Sequence, residues 1–193
     1  FDEFLQHVEL PDEIEGIGGM HCIAEKSIAA DAQVTLEGYV FEGDCVCYGA
    51  VDSVREGGVG SSFSRYEYPS RLPEGVIERM KDITARVLAE VGYDNAPFNA
   101  EFFYDEETDR ISILEINTRL SKSHGPLFQD VDGVSHQKIG LDLALGHRPH
   151  FPHRNGDWPS AAKFMLRLFQ DAQVKRVPSA TEIHHMQTRY PEA

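Results

Sequence analysis

Two apolar runs meet across a short acidic turn between positions 98 and 120, and their pairing constrains the fold more than any other feature of the chain. The first run is Phe98, Asn99, Ala100, Glu101, Phe102 and Phe103; the second carries Ile111, Ile113, Leu114, Ile116 and Leu120. Between them Asp105, Glu106, Glu107, Thr108 and Asp109 are too polar for a core and read as a hairpin loop. Side chains alternate faces along a strand, so Glu115, Asn117 and Arg119 share one face. If the strands pair across the turn, Glu101 reaches that same face. Two carboxylates and an amide oxygen at one point form the hard-oxygen site that Mg²⁺ prefers, usually alongside substrate phosphates. Arg119 beside them offers an anion a planar fork of donors. Acidic residues on a strand are more commonly a solvated face, but the apolar content of this strand argues against a wet edge.

The remaining pattern is α+β: an antiparallel sheet with packed helices rather than an alternation of parallel strands and helices. A short apolar strand is expected over 22–28. Positions 33–42 and 44–51 are rich in Val, Tyr, Phe and Cys, with Gly43 at the turn, and predict a hairpin. Val76, Ile77, Met80, Ile83, Val87, Leu88 and Val91 fall on one helical face, so a helix is expected over 73–91, with Pro73 in its first turn and Gly92 at its stop. A second helix is expected over 134–145, ended by Gly146 with Pro149 beyond. A last hairpin is expected from 161–170 and 173–177. Ser179 and Glu182 have the spacing of a capping box and predict a terminal helix carrying His184 and His185. The acidic, glycine-ended stretch 1–19 reads as a lead-in. The glycines at 57, 58 and 60 read as a mobile loop, because a phosphate cradle needs a Lys before Ser/Thr and a helix after it. His147, His150 and His153 are separated by prolines that forbid the regular helix needed to align them on a metal.

The chain has 193 residues, enough for one good core or one core with an appendage. Residues 1–158 are expected to form the main unit, and 159–193 a hairpin and short helix appended to it or part of it. The net charge of −14 disfavours a nucleic-acid groove and an anionic membrane surface. No apolar run approaches the ~20 residues of a spanning helix, and the expectation is a cytoplasmic protein. Cys22, Cys45 and Cys47 are too few for a disulfide framework and read as buried thiols.

The run from Glu115 through Asn117, Thr118 and Arg119 to Ser123, His124, Gly125 and Pro126 resembles the metal and substrate segment of the ATP-grasp superfamily. It is most similar to biotin carboxylase and carbamoyl-phosphate synthetase-type members. Asn99 to Phe102 resembles that superfamily's first metal-ligand strand, and Asp132, Gly133 and Val134 fit the segment after the substrate run. Ala24 to Ile28 resembles the hinge whose backbone holds adenine. The resemblance covers roughly residues 20–150 and implies the C-terminal lobe of an ATP-grasp fold, with a glycine-rich N-terminal lobe in cis or in trans.

The resemblance also implies roles. Glu101, Glu115 and Asn117 would hold Mg²⁺ or Mn²⁺. Lys26, Ser27 and Ile28 would read the adenine edge of ATP, with Glu25 beside its amino group and Gln33 near the ribose. Arg119 would hold the acyl substrate or the developing phosphate charge, and Ser121, Ser123 and His124 would shape the substrate pocket. Biotin carboxylase carries a glutamate where Ser123 stands, and serine cannot replace it as a base. A carboxylate–amine ligase is therefore favoured. It makes an acyl phosphate from a small-molecule carboxylate, for attack by an amine, and the sequence leaves room for a homodimer. A degenerate nucleotide-binding or structural half-domain without catalysis stays open beside it.

Overall fold

The computed structural model describes residues 25–28, 30–55, 62–168 and 170–191. The lead-in 1–19, Cys22 and the glycine cluster 57–60 lie outside them. Six strands form one antiparallel sheet in the order β5-β4-β1-β2-β3-β6. In chain order these are β1 Ala32–Phe41, β2 Asp44–Val54, β3 Arg65–Tyr68, β4 Ala96–Asp105, β5 Arg110–Asn117 and β6 Ala161–Phe164. The helices are α1 Glu74–Glu90, α2 Gly125–Asp132, α3 Gln137–Ala144 and α4 Ala180–Arg189. The α+β class and the antiparallel sheet are as the pattern predicts.

The sheet separates two cores. On one face Val34, Leu36 and Val40 of β1 join Phe98, Ala100, Phe102 and Tyr104 of β4. α1 covers them with Val76, Met80, Thr84 and Leu88, a stripe at four-residue spacing. On the other face Tyr39, Phe41, Tyr48, Val51 and Tyr68 pack with Leu127, Phe128 and Val131 of α2 and Ile139 and Leu143 of α3. Strand alternation sends the odd residues of β1 to this second face, so Thr35 and Glu37 point the same way as Tyr39.

Two register shifts shape the region around the paired glutamates. β1 and β2 slip between Glu37 and Gly38. β4 and β5 slip between Glu101 and Phe102: Phe102 faces Ile113, Glu101 faces Glu115, and Leu114 is the extra residue. Gly38 is obligatory at its shift, since a Cβ there would lie 2.4 Å from the Phe98 ring and 2.6 Å from the Val46 carbonyl oxygen.

Three expected elements differ. Residues 25–28 are exposed and form no strand, because polar Glu25, Lys26 and Ser27 leave that stretch no face to bury. The helix expected over 134–145 begins at Gln137, and a separate helix, α2, precedes it. Gly133 at φ 80 closes α2 in the left-handed conformation, so the two cannot be continuous. The last hairpin is a single strand: β6 pairs with β3, but 173–177 forms no strand. Leu166, Val174 and Val177 are exposed there, and no neighbouring strand offers them a face.

Candidate active site

The β4–β5 pair sets Glu101 directly opposite Glu115, and Asn99 directly opposite Asn117. The Glu101 carboxylate accepts from Gln33 Nε2 at 2.8 Å. Its proton affinity is raised, first by burial and then by the negative charge of Glu115. Asn117 Nδ2 donates to Glu115 Oε1 at 2.8 Å and to Asn99 Oδ1 at 3.0 Å. Asn117 Oδ1 accepts from Arg119 Nη2 at 3.3 Å, and Asn99 Nδ2 donates to the Arg119 carbonyl at 3.0 Å. One hydrogen-bonded ladder thus runs from Glu115 through Asn117 to the Arg119 guanidinium.

These residues border a cavity of about 490 Å³. Thr35, Ser53, Tyr66, Asn99 and Glu101 form its wall from the sheet. The segment after β5 closes it with Arg119, Lys122, Ser121, Ser123 and His124. Glu115 and Asn117 adjoin it through Glu101, Asn99 and Arg119.

His124 is 3% exposed. Its ring meets Tyr66 edge-on at 4.7 Å, and its Nδ1 lies 2.8 Å from Glu37 Oε1. Burial pushes its pKa down to about 4. Glu37 is 0% exposed, and burial pushes its carboxyl up to about 8. His136 Nδ1 lies 3.8 Å from Glu37 Oε2 and 3.4 Å from the Tyr48 hydroxyl.

The residues expected to meet adenine sit apart. Lys26, Ser27 and Ile28 line a second cavity of about 490 Å³ with Phe103, Arg110 and Ser112, at the other end of the hairpin. Glu25 is exposed and lines neither cavity. Gln33 is buried, bonds Glu101, and leaves its Oε1 without a partner. Glu37, Thr35 and Tyr66 were not among the expected site residues, and Asn99 was expected only as part of the first metal-ligand strand. Glu37 had a visible signal, the lone acid in a strand otherwise free of charge and rich in Val, Leu, Tyr and Phe.

The donor set suits a hard divalent cation. Two opposed carboxylates, one with raised proton affinity, repel each other until a cation joins them. Asn117 now turns its amide nitrogen to Glu115, and a half-turn about its last torsion would present the oxygen instead. Among the described residues no group of three or more His, Cys, Asp or Glu side chains is arranged to hold a metal ion, so the remaining ligands at this pair would come from phosphates and water.

A sheet of this topology with helices on both faces is that of ATP-grasp domains, and solved structures agree. Biotin carboxylase from Campylobacter jejuni superposes with a TM-score of 0.56 at 20% identity, covering 67% of this chain and 29% of that one. N5-carboxyaminoimidazole ribonucleotide synthetase from Thermus thermophilus gives 0.57 at 17% identity, covering 70% and 36%. In sequence, residues 21–150 match the family described as carbamoyl-phosphate synthase L chain, ATP binding domain, and the chain belongs to that family. The carbamoyl phosphate synthase large chain of Arthrobacter sp. (strain FB24) is 34% identical over 76 residues, 39% of this chain and 7% of the relative. That of Xylella fastidiosa is 28% identical over 105 residues, 54% and 10%. The chain therefore spans a tenth or less of these relatives' length.

Proposed function

We propose that this domain binds ATP with Mg²⁺ or Mn²⁺ and activates a carboxylate as an acyl phosphate, which an amine then attacks. The observation that carries this reading is the opposition of Glu101 and Glu115 beside a cavity that also holds Arg119. Glu101, Glu115 and Asn117 would hold the cation. A bound cation would neutralise charge on the transferring phosphoryl group.

The chain's own residues supply position and charge. Arg119, tied to the ladder through Asn117, would orient the substrate carboxylate with its oxygen in line with the γ-phosphorus. That oxygen forms the new P–O bond as ADP leaves. Ser121, Ser123 and His124 line the same cavity and would hold the acyl group. Lys26, Ser27 and Ile28 would meet the adenine edge with Glu25 beside the amino group. Gln33, whose Nε2 donates to Glu101, would meet a ribose hydroxyl with its unpartnered Oε1. A second lobe, in cis or in trans, supplies glycine-loop and lysine donors to the phosphates in this reading.

The test is ATP-dependent hydroxamate formation: the protein with its partner lobe is incubated with Mg²⁺, ATP and hydroxylamine over a panel of carboxylates. Carboxylate-dependent ADP release with matching hydroxamate is expected. Nucleotide binding without either product on any carboxylate would favour the non-catalytic reading.

A further inference from the structure

The Glu37–His124 pair lies beneath the substrate cavity, and the roles given above leave Glu37 without one. Glu37 sits on β1 at the register shift, opposite Asn99 on one side and Gly49 on the other. Strand alternation turns its carboxyl to the face that carries the segment after β5. There it meets Nδ1 of His124 at 2.8 Å. With Nδ1 occupied, Nε2 is the ring nitrogen left for a molecule in the cavity.

We infer that Glu37 is a positioning residue: it donates its carboxyl hydrogen to His124 Nδ1, so that His124 offers an Nε2–H donor to the carboxylate of the acyl substrate. This rests on the ligase reading above.

Three observations support it. First, Glu37 is fully buried, and its second oxygen, Oε2, has no partner at hydrogen-bond distance. A hydrogen on Oε1 meets Nδ1 directly, and the backbone N–H and hydroxyl of Ser121, which act on this carboxyl from nearby, favour keeping the other oxygen an acceptor. Second, burial holds both groups neutral near pH 7, the carboxyl up at about 8 and the imidazole down at about 4. A neutral acid against a neutral imidazole shares one hydrogen between Oε1 and Nδ1. Third, the cavity above carries Arg119, Lys122 and the hydroxyls of Ser121 and Ser123. A donor from His124 completes a set suited to an anion, and a neutral Glu37 adds no repulsion from below.

The test reads the imidazole tautomer directly. ¹⁵N-histidine-labelled protein is examined by multiple-bond ¹H–¹⁵N correlation, with His124 assigned by its loss in His124→Gln. Wild type should show the Nε2–H tautomer. Glu37→Gln, whose amide can donate as the acid does, should keep it. Glu37→Met, similar in length but unable to donate, should lose it. In turnover, Glu37→Gln should keep KM for the carboxylate within about threefold, while Glu37→Met raises it about tenfold with KM for ATP unchanged. An Nδ1–H tautomer in wild type would overturn the inference, as would Glu37→Gln behaving like Glu37→Met, or Glu37→Met behaving like wild type. If Glu37→Met does not fold, the wild-type and Glu37→Gln spectra still decide. A wild type with no carboxylate-dependent turnover would count against the ligase reading alone, because the tautomer is read without turnover.

Discussion

At the scale of single residues, Glu37 makes stability depend on pH. Its folded pKa of about 8 lies above the ordinary 4.5, so the folded state holds a proton that the unfolded chain has lost. Stability from this group is intact below pH 4.5 and falls as pH rises toward 8. His124, lowered to about 4, and His136, also lowered, act the other way: they cost stability as pH falls below 6.5. The groups facing Glu37 are these two histidines, Ser121 and the more distant Arg119. Between pH 6.5 and 8 the carboxyl dominates, and about 2 kcal/mol should be lost across that window. Denaturant unfolding at a series of pH values should show this loss in wild type and not in Glu37→Gln; parallel curves would refute it. Glu101→Gln should behave differently. It removes one of two repelling carboxylates, so the ligand-free protein should unfold no earlier than wild type. Its affinity for Mg²⁺-ATP should fall at least about tenfold, since even outer-shell partners of metal sites cost that much. A large loss of ligand-free stability would assign Glu101 a structural role instead.

At the scale of elements, the helix α1 and the capping box of Ser179 and Glu182 were legible because each depends on residues close in sequence. The hairpins β1–β2 and β4–β5 were legible from their alternation and turn residues. The opposition of Glu101 and Glu115 was also expected, yet the sequence did not show how it is reached. A regular ladder continued from Asp105 and Arg110 would set Leu114 against Glu101 and turn Glu115 toward α1. The bulge absorbs Leu114 and returns Glu115 to the cavity face. Helix α2 was not expected: Gly125 and Pro126 at its start have low helix propensity, although proline suits a helix's first turn. Glu37 stood out as a lone acid in its strand, but its pairing was hidden because its partner His124 lies 87 positions away. The shift beside Glu37 depends on Gly38. Gly38→Ala would drive its methyl into Phe98 and a backbone carbonyl and should destabilise by about 1–3 kcal/mol, measured by denaturant unfolding. A neutral effect would mean that β1 and β2 can re-pair without the shift.

At the scale of the whole molecule, a protein with a net charge of −14 gathers Arg119 and Lys122 at the cavity beside its paired glutamates. A nucleotide's phosphates and a divalent cation would balance both signs there, which local charge can do on an acidic protein. No helix among the described residues is long and apolar enough to cross a membrane. In the proposed site Glu101 and Glu115 hold a cation together with ATP. Calorimetric titration of ATP into wild type and Glu115→Ala, each with and without Mg²⁺, tests it most directly. Binding to wild type should depend on Mg²⁺ and weaken at least about tenfold in Glu115→Ala. Equal affinity of the two proteins in the presence of Mg²⁺ would contradict it.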